Sequence, residues 1–228
     1  MSKFIAFEGI DGSGKSTLAK MLNDYLNEKG LETELTSEPY RRGFGAGVRK
    51  LFADYDDKLN PKTELFLFEA ARTEHVETVI KPALKKGKIV ISDRFSDSSV
   101  AYQGYAQGSV PEALIHQLNH IAVGETKPDI VFWIDANIED CMSRSKKTEA
   151  KDNKPKEFYE KCIEYYSKKA NEDKRFIRID GNGTVDEVFQ RILDCFKLKN
   201  VHICAMCGEI IPEGTDVCWK CSHIYGSR

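Results

Sequence analysis

A glycine-rich segment near the N-terminus constrains the fold of this chain more than any other feature. Residues 9–16 read GIDGSGKS, which is a glycine, four residues and then Gly-Lys-Ser. An apolar run at 3–8 precedes this segment, and a helical pattern carried by Leu18, Leu22 and Leu26 follows it. That strand–loop–helix order is the context that a phosphate-binding P-loop requires. A flexible glycine turn before a helix is the alternative interpretation, and the context disfavours it.

The residue types in this loop predict how it would bind a nucleoside triphosphate. Glycines let successive backbone N–H groups point towards phosphate oxygens, and the N-terminus of the following helix adds its positive dipole end. We expect Lys15 to reach the β- and γ-phosphates, Ser16 to bind Mg²⁺ through its hydroxyl, and Thr17 to contact the α-phosphate. The predicted nucleotide-binding residues are Gly9, Gly12, Ser13, Gly14, Lys15, Ser16 and Thr17. The loop alone does not distinguish an ATPase, a GTPase, a switch and a kinase.

Short apolar runs alternate with longer helical patterns along the chain, and this alternation predicts an α/β fold. The candidate strands are residues 3–8, 32–36, 88–93, 129–135 and 175–180. The candidate helices are residues 15–29, 60–86 with a kink near Pro82, 110–123 and 185–199. Continuously apolar strands suit a parallel sheet that is covered on both faces. We therefore expect a five-stranded parallel sheet of the P-loop NTPase type with helices on both faces.

Composition excludes several broad classes of protein. The 34 basic and 36 acidic residues give a net charge of −2, so there is no strong signal for nucleic-acid or membrane binding. We see no signal peptide and no apolar stretch long enough to span a bilayer, and we expect a soluble, cytoplasmic protein. Three scattered cysteines, Cys141, Cys162 and Cys195, read as small residues on helices in a reducing compartment.

The third candidate strand ends in polar residues that suit an acceptor site. Ligands of an open α/β sheet bind at the carboxyl ends of the strands, so Asp93 and Arg94 should face the same crevice as the P-loop. A carboxylate there can hold Mg²⁺, and a guanidinium can hold a phosphate in a bidentate manner. A surface ion pair between these two side chains is the alternative.

Four segments together resemble the thymidylate kinase family. They read FEGIDG at 7–12, Glu-Pro at 38–39, LFEAAR at 67–72 and DRFSDSSVAYQG at 93–104. They occur in the family's order, and the resemblance spans about residues 1–198. It implies phosphoryl transfer from ATP to thymidine monophosphate (dTMP), with Mg²⁺ as the cofactor of ATP, and it implies a homodimer.

The resemblance assigns a role to individual residues. It implies that Phe68 stacks on thymine, Arg72 hydrogen-bonds a base carbonyl and Gln103 reads the base edge. Tyr102 would lie under the sugar, where it leaves no room for a 2′-hydroxyl, and Asp11 would lie near the 3′-hydroxyl and the phosphates. The implied dTMP-binding set is Asp11, Glu38, Arg41, Phe68, Arg72, Arg94, Ser98, Tyr102 and Gln103. Taken singly, Phe68 could be a core residue, Arg72 a surface charge and Tyr102 a packing residue.

The chain departs from the usual bacterial pattern of the family at two places. After Glu-Pro that pattern has Gly-Gly-Thr, whereas this chain has Tyr40, Arg41 and Arg42, and Arg41 falls where eukaryotic-type relatives place an arginine on the acceptor phosphate. The second place is the expected lid at about 144–157, which is rich in lysine and has Arg144 as its single arginine. A lysine does not replace a bidentate arginine. The expected catalytic residues are therefore Lys15, Arg94, Asp11 and Arg144.

Four cysteines near the C-terminus form two CxxC pairs. Cys204 and Cys207 are followed, after ten residues, by Cys218 and Cys221. The spacing predicts a small zinc ribbon at 200–228, after a kinase domain at 1–199, in which four thiolates hold a structural Zn²⁺. Redox disulfides and a rubredoxin-like iron site are the alternatives. The family resemblance does not account for this tail, whose role could be stability, a dimer contact or partner binding.

Two other functions compete with the dTMP kinase prediction. The first is a kinase for another nucleoside monophosphate such as dUMP, which differs from dTMP by one methyl group that a pocket discriminates weakly. The second is a non-catalytic, nucleotide-dependent binding module that uses the P-loop as a switch. The complete acceptor set argues against the module, and stoichiometric nucleotide binding without turnover would favour it.

Overall fold

A computed structural model describes residues 3–55, 59–145, 154–198, 202–203 and 210–211. Five parallel strands form the central sheet in the order β2-β3-β1-β4-β5. They are β1 (Lys3–Glu8), β2 (Thr33–Ser37), β3 (Ile89–Asp93), β4 (Ile130–Asp135) and β5 (Phe176–Asp180). All five strands agree with the predicted strands to within one residue at each end. The α/β fold with a five-stranded parallel sheet is confirmed.

Helices cover both faces of this sheet. They are α1 (Lys15–Glu28), α2 (Gly43–Tyr55), α3 (Pro61–His75), α4 (Lys81–Lys85), α5 (Ser96–Ser99), α6 (Glu112–Val123), α7 (Ile138–Ser145), α8 (Lys156–Glu172) and α9 (Val185–Leu198). Two π-helical segments, Val76–Ile80 and Val100–Ala106, continue α3 and α5. The first π segment ends just before Pro82, where the sequence predicts a kink. A proline lacks the N–H that an α-helix needs, and a π segment is one way to accommodate that loss.

Alternate residues of each central strand pack into one of two cores. Phe4 and Ala6 of β1 join the core beneath α3, α6 and α8, whereas Ile5 and Phe7 join the core beneath α1 and α9. Both faces of the strand are therefore dry, which explains why its sequence is continuously apolar rather than alternating.

Helices α2, α5, α7 and α8 were not among the predicted elements. Three glycines lower the intrinsic helix propensity of α2, so packing against α3 rather than propensity determines this helix. In α8, the buried residues Phe158, Tyr159, Cys162, Tyr165 and Tyr166 follow a helical spacing, but the charged segment before them obscured it. The predicted lid at 144–157 begins in the last turn of α7 and ends in the first turn of α8, and its residues 146–153 lie outside the described ranges.

The C-terminal segment is described only as two short strands. β6 (His202–Ile203) and β7 (Ile210–Ile211) pair in an antiparallel manner, with His202 opposite Ile211. In sequence the pair flanks Cys204 and Cys207. All four cysteines of the predicted zinc site lie outside the described residues, so that site stays a prediction. Among the helices that the structure describes, none combines the length and apolar character needed to cross a membrane.

Candidate active site

The P-loop connects the end of β1 to the start of α1, as its sequence predicts. Gly14 caps α1 with a positive φ of 92°, and Gly12 also has a positive φ, of 79°. A Cβ atom on Gly12 would lie 2.1 Å from the carbonyl oxygen of Cys141. Because that oxygen belongs to the backbone of α7, no side chain fits at this position. The P-loop is thus in direct contact with α7, the helix in whose last turn the predicted lid begins.

Lys15 lies inside the loop. Its ammonium group donates to the carbonyl of Ile10 at 2.7 Å and lies 3.4 Å from the hydroxyl of Ser13, and the residue is 5% exposed. Burial, assisted by the nearby Arg94, lowers the pKa of Lys15 to about 8. A bound phosphate group would add negative charge beside this buried cation and favour its charged form.

Ser16 and Asp93 meet where the sequence places a magnesium site. The Ser16 hydroxyl donates to Oδ2 of Asp93, and the other carboxylate oxygen of Asp93 is buried without a hydrogen-bond partner among the described residues. A hydroxyl beside a carboxylate with an unpartnered oxygen fits a hard divalent cation such as Mg²⁺. Thr17 follows on the exposed side of α1.

Arg94 connects the P-loop to the acceptor side. It has a positive φ of 72°, which is uncommon for a residue with a side chain and is frequent at functional sites. Its guanidinium donates to the carbonyl of Gly9 at 3.2 Å and to Ser98 and Tyr102 at 3.0 Å, and it pairs with Asp11. The side chain therefore contacts both predicted substrate sites.

A cavity of about 330 Å³ opens beside Arg94. Its lining includes Asp11, Glu38, Phe68, Arg72, Arg94, Ser98, Tyr102 and Gln103. These are all the predicted dTMP-binding residues except Arg41, which is exposed and lines a neighbouring cleft with Ser16 and Asp93. The structure thus brings together residues that are spread over more than ninety positions of the sequence.

Arg72 lines this cavity and is only 2% exposed. Its five N–H groups donate to the side chains of Glu38, Glu69, Asn119 and Ser99 and to the carbonyl of Phe95. The alternative prediction of Arg72 as a surface charge is wrong. Burial alone would raise the pKa of Glu38, but Arg72 and the neighbouring His75 outweigh burial and lower it below the usual value. Glu38 is therefore held as a carboxylate.

Polar side chains and an aromatic ring also line this cavity. The amide of Gln103 donates to Glu64 at 2.8 Å, and the amide of Gln107 donates to the other oxygen of Glu64 at 3.1 Å. The ring of Phe68 packs against Phe52, with ring centroids 4.6 Å apart, and is half-buried. An apolar ring and amide groups in one cavity suit a flat heterocycle with polar edges.

Glu8 is a buried carboxylate that hydrogen-bonds two residues lining this cavity, Phe95 and Ser98. Its Oε1 accepts from the backbone N–H of Phe95 at 2.9 Å, and its Oε2 accepts from Ser98 at 2.6 Å and from the phenol of Tyr166 at 2.8 Å. Burial, followed by the nearby Asp97, raises the pKa of Glu8 to about 7. This carboxylate connects the end of β1, the segment after Arg94 and helix α8.

Several lining residues were missed by sequence reasoning. Arg49 on α2 donates to the carbonyl of Pro39 at 2.7 Å and adds a cation to the cavity, and burial lowers its pKa. Glu64 and Gln107 were also missed. Arg49 and Glu64 lie on helices, and the faces they occupy can be recognised only once the partners of those helices are known.

Arg144 lies beside the P-loop, and its predicted catalytic role stays a prediction. Its guanidinium is 3.4 Å from the carbonyl of Gly12, in the last turn of α7, and it is exposed. The three scattered cysteines lie on helices, as predicted, with Cys141 and Cys162 buried and Cys195 half-buried.

Comparison with known proteins identifies the family. A family model described as thymidylate kinase matches residues 7–192. A thymidylate kinase of Fervidobacterium nodosum is 44% identical over 196 residues, which are 85% of this chain and 98% of that protein, and one of Trichodesmium erythraeum is 38% identical over 211 residues, covering 84% and 93%. A crystal structure of a thymidylate kinase from Ehrlichia chaffeensis superposes with a TM-score of 0.72 at 36% identity, covering 86% of this chain and 98% of the other. The chain belongs to the thymidylate kinase family, whose members are nucleoside monophosphate kinases.

Proposed function

We propose that this protein transfers the γ-phosphoryl group of ATP to dTMP, giving ADP and dTDP. The observation that carries the proposal is the position of Arg94, whose one guanidinium contacts the P-loop at Gly9 and the acceptor cavity at Ser98 and Tyr102. A cation at this junction lies where the donor and acceptor phosphates would meet.

The acceptor end of the cavity supports a thymine base. Phe68 offers a half-buried ring for stacking, and Gln103 lies beside Arg72. The longest contact of Arg72 is the one from Nη2 to the carbonyl of Phe95, at 3.4 Å. A base carbonyl would take over this N–H at little cost, because the exchanged hydrogen bond is the weakest of the five.

Phosphoryl transfer in this site is a matter of positioning and charge. Arg94 and Arg49 would orient the acceptor phosphate, and Lys15 and Arg144 would neutralise charge on the transferred group. Ser16 and Asp93 would hold the Mg²⁺ of the ATP complex, which supplies further neutralisation of the phosphate charge. Asp11, which pairs with Arg94, would keep that guanidinium turned towards both substrates.

Initial rates of ADP formation test this proposal. ATP and Mg²⁺ are supplied with dTMP, dUMP, UMP, dCMP or dGMP as the acceptor. A strong preference for dTMP supports the substrate and the roles of Phe68, Arg72 and Tyr102. Preference for dUMP or another monophosphate would retain the kinase and reject the base assignment. ATP binding without acceptor-dependent turnover would reject the kinase in favour of a nucleotide-dependent binding module.

We also propose that the enzyme acts in the cytoplasm as a homodimer. Leu114 and Ile121 are seven residues apart on one face of α6 and are 44% and 77% exposed, and Phe66 on the neighbouring α3 is 58% exposed. A second copy of the chain would cover these apolar side chains. Light scattering coupled to size-exclusion chromatography should give the mass of a dimer, and Ile121→Asp should give a monomer. A monomeric wild-type protein at micromolar concentration would contradict the proposal.

Finally, we propose that Cys204, Cys207, Cys218 and Cys221 hold one structural Zn²⁺. The support is the spacing of the two CxxC pairs, together with the β6–β7 pair that flanks the first of them in sequence. Metal analysis of protein purified without added metal should find about one zinc per chain, and Cys218→Ser should lose it. Iron in place of zinc, or disulfides without metal, would reject this assignment.

A further inference from the structure

Tyr40 follows Glu38 and Pro39, where the sequence departs from the Gly-Gly-Thr expected from its resemblance to bacterial thymidylate kinases. In the structure the Tyr40 ring is stacked on the imidazole of His75, with centroids 5.0 Å apart and an interplanar angle of 13°. A glycine at this position would leave that face of the imidazole uncovered. The departure from the pattern is therefore accompanied by a specific contact.

His75 is 1% exposed and makes two hydrogen bonds with its ring nitrogens. Nδ1 lies 3.2 Å from Oε1 of Glu38, and Nε2 lies 2.6 Å from the hydroxyl of Thr36. Because an ionised carboxylate only accepts, Nδ1–H donates to Glu38. In the neutral ring Nε2 then accepts from Thr36. The imidazole is thus fixed at both nitrogens, and Tyr40 covers one of its faces.

Glu38 connects the fixed imidazole of His75 to the guanidinium of Arg72. Its Oε1 accepts from His75, and its Oε2 accepts from Nε of Arg72 at 2.7 Å. The guanidinium is planar, so a bond at Nε fixes the direction in which Nη2 points into the cavity. Tyr40, His75, Glu38 and Arg72 therefore form an unbroken series of contacts from the surface of the loop to the acceptor cavity.

The backbone of residues 39 and 40 also makes close contacts, with helix α2. A Cβ atom on Gly45 would lie 2.3 Å from the carbonyl oxygen of Tyr40, so the start of α2 packs directly against this turn. Arg49, also on α2, donates to the carbonyl of Pro39 at 2.7 Å. The ring of Tyr40 is therefore presented to His75 by a supported segment.

We propose that Tyr40 and His75 are positioning residues that orient Arg72, through Glu38, for discrimination of the acceptor base. Neither residue lines the acceptor cavity. The inference rests on the proposed role of Arg72 in reading a base carbonyl. It adds that part of the selectivity for the base is set from outside the pocket, by residues that do not line it.

The first test replaces the ring of Tyr40 while keeping apolar bulk. Tyr40→Leu should raise KM for dTMP about threefold to tenfold, which is the worth of one aromatic pair, and should leave KM for ATP unchanged. The preference for dTMP over dCMP in kcat/KM should narrow, because a loosely held Arg72 selects less strongly for a carbonyl. Tyr40→Phe retains the ring and should restore the wild-type KM for dTMP. Tyr25→Leu, which removes a tyrosine that packs on Phe189 of α9, is the matched control and should change neither value.

A double-mutant cycle tests whether Tyr40 acts on Arg72 through His75. His75→Gln alone should also raise KM for dTMP, and Tyr40→Leu should add little in that background because the two residues act in series. Equal changes for dTMP and dCMP, or fully additive effects of the two substitutions, would overturn the inference. A wild-type enzyme that does not phosphorylate dTMP refutes the proposed function itself, whereas normal dTMP kinase activity with unaltered variants refutes only the positioning role.

Discussion

Two buried carboxylates at the carboxyl-terminal ends of the strands have pKa values that are shifted in opposite directions. Glu8 ends β1 and Glu38 directly follows β2, and both are almost completely buried. Burial opposes ionisation in both cases. The pKa of Glu38 is nevertheless lowered, whereas that of Glu8 is raised to about 7.

The difference lies in the partners of the two groups. Glu38 accepts from the guanidinium of Arg72 and from His75. Within the described residues, the donors to Glu8 are neutral, namely a backbone N–H and two hydroxyls. A cation in contact compensates for the lost hydration of a carboxylate, and neutral donors compensate less. Glu38 is therefore held ionised by its cationic partners, whereas Glu8 can take up or release a proton near neutral pH.

The largest loss of stability should follow from removing the guanidinium of Arg72, which pairs with Glu38. Arg72→Met leaves Glu38 and Glu69 without their shared partner, and the loss of one partner of a buried ion pair costs about 3–5 kcal/mol. Urea denaturation at pH 7.5 measures this loss as a fall in the free energy of unfolding.

Arg178→Met serves as the control for that substitution. Arg178 pairs with Asp135 but its side chain is 65% exposed, so its removal should cost at most about 1 kcal/mol. Equal losses for the two variants would show that burial does not distinguish the two ion pairs.

A smaller effect is expected from the titration of Glu8. Because its folded-state pKa is about 7 and its ordinary value is 4.5, the folded protein binds more protons between these pH values than the unfolded chain does. The contribution of Glu8 to stability therefore falls as the pH rises from 4.5 to 7 and is constant above that range. The total change is on the order of 3 kcal/mol, at about 1.36 kcal/mol for each pKa unit.

The comparison with Glu8→Gln measures this titration. The free energy of unfolding of the wild type, minus that of Glu8→Gln, should fall between pH 5 and pH 8. Glu38 has the opposite sign: its stabilising contribution is present above pH 4.5 and is lost as the pH falls through its lowered pKa. A difference for Glu8→Gln that does not change with pH would show that Glu8 is not titrating in this range.

The contrast between the two carboxylates also shows how far the sequence could be read. The P-loop and the five strands could be predicted, because each depends on a pattern within one segment, and the roles of Phe68 and Arg72 came from the family resemblance of their segment. Glu38 entered the predicted site through its Glu-Pro segment. Its partner His75 did not, because the two residues are 37 positions apart and meet only through the fold.

Glu8 belongs to the FEGIDG segment that leads into the P-loop, but its environment could not be predicted from the sequence. Two of its three donors come from residues 90 and 158 positions away. Arg49 and Glu64 were missed for the same reason, since an arginine or a glutamate on an amphipathic helix looks like an ordinary surface charge until the helix is docked. Tyr40 was recognised as a departure from the family pattern, but its contact with His75 could not be read from spacing.

The smallest effect should come from the phenol of Tyr166, which is one of the three donors to Glu8. Tyr166→Phe removes the 2.8 Å hydrogen bond and should lower the free energy of unfolding by about 2 kcal/mol at pH 8, where Glu8 is ionised. At pH 5 Glu8 is protonated, a neutral carboxyl is the weaker acceptor, and the loss should be smaller. Tyr165→Phe is the matched control, because Tyr165 is the adjacent residue of α8 and donates to Asp97 instead of Glu8. If Tyr166→Phe were equally destabilising at both pH values, the proton near neutrality would not reside on Glu8, and the contrast with Glu38 would rest on geometry alone.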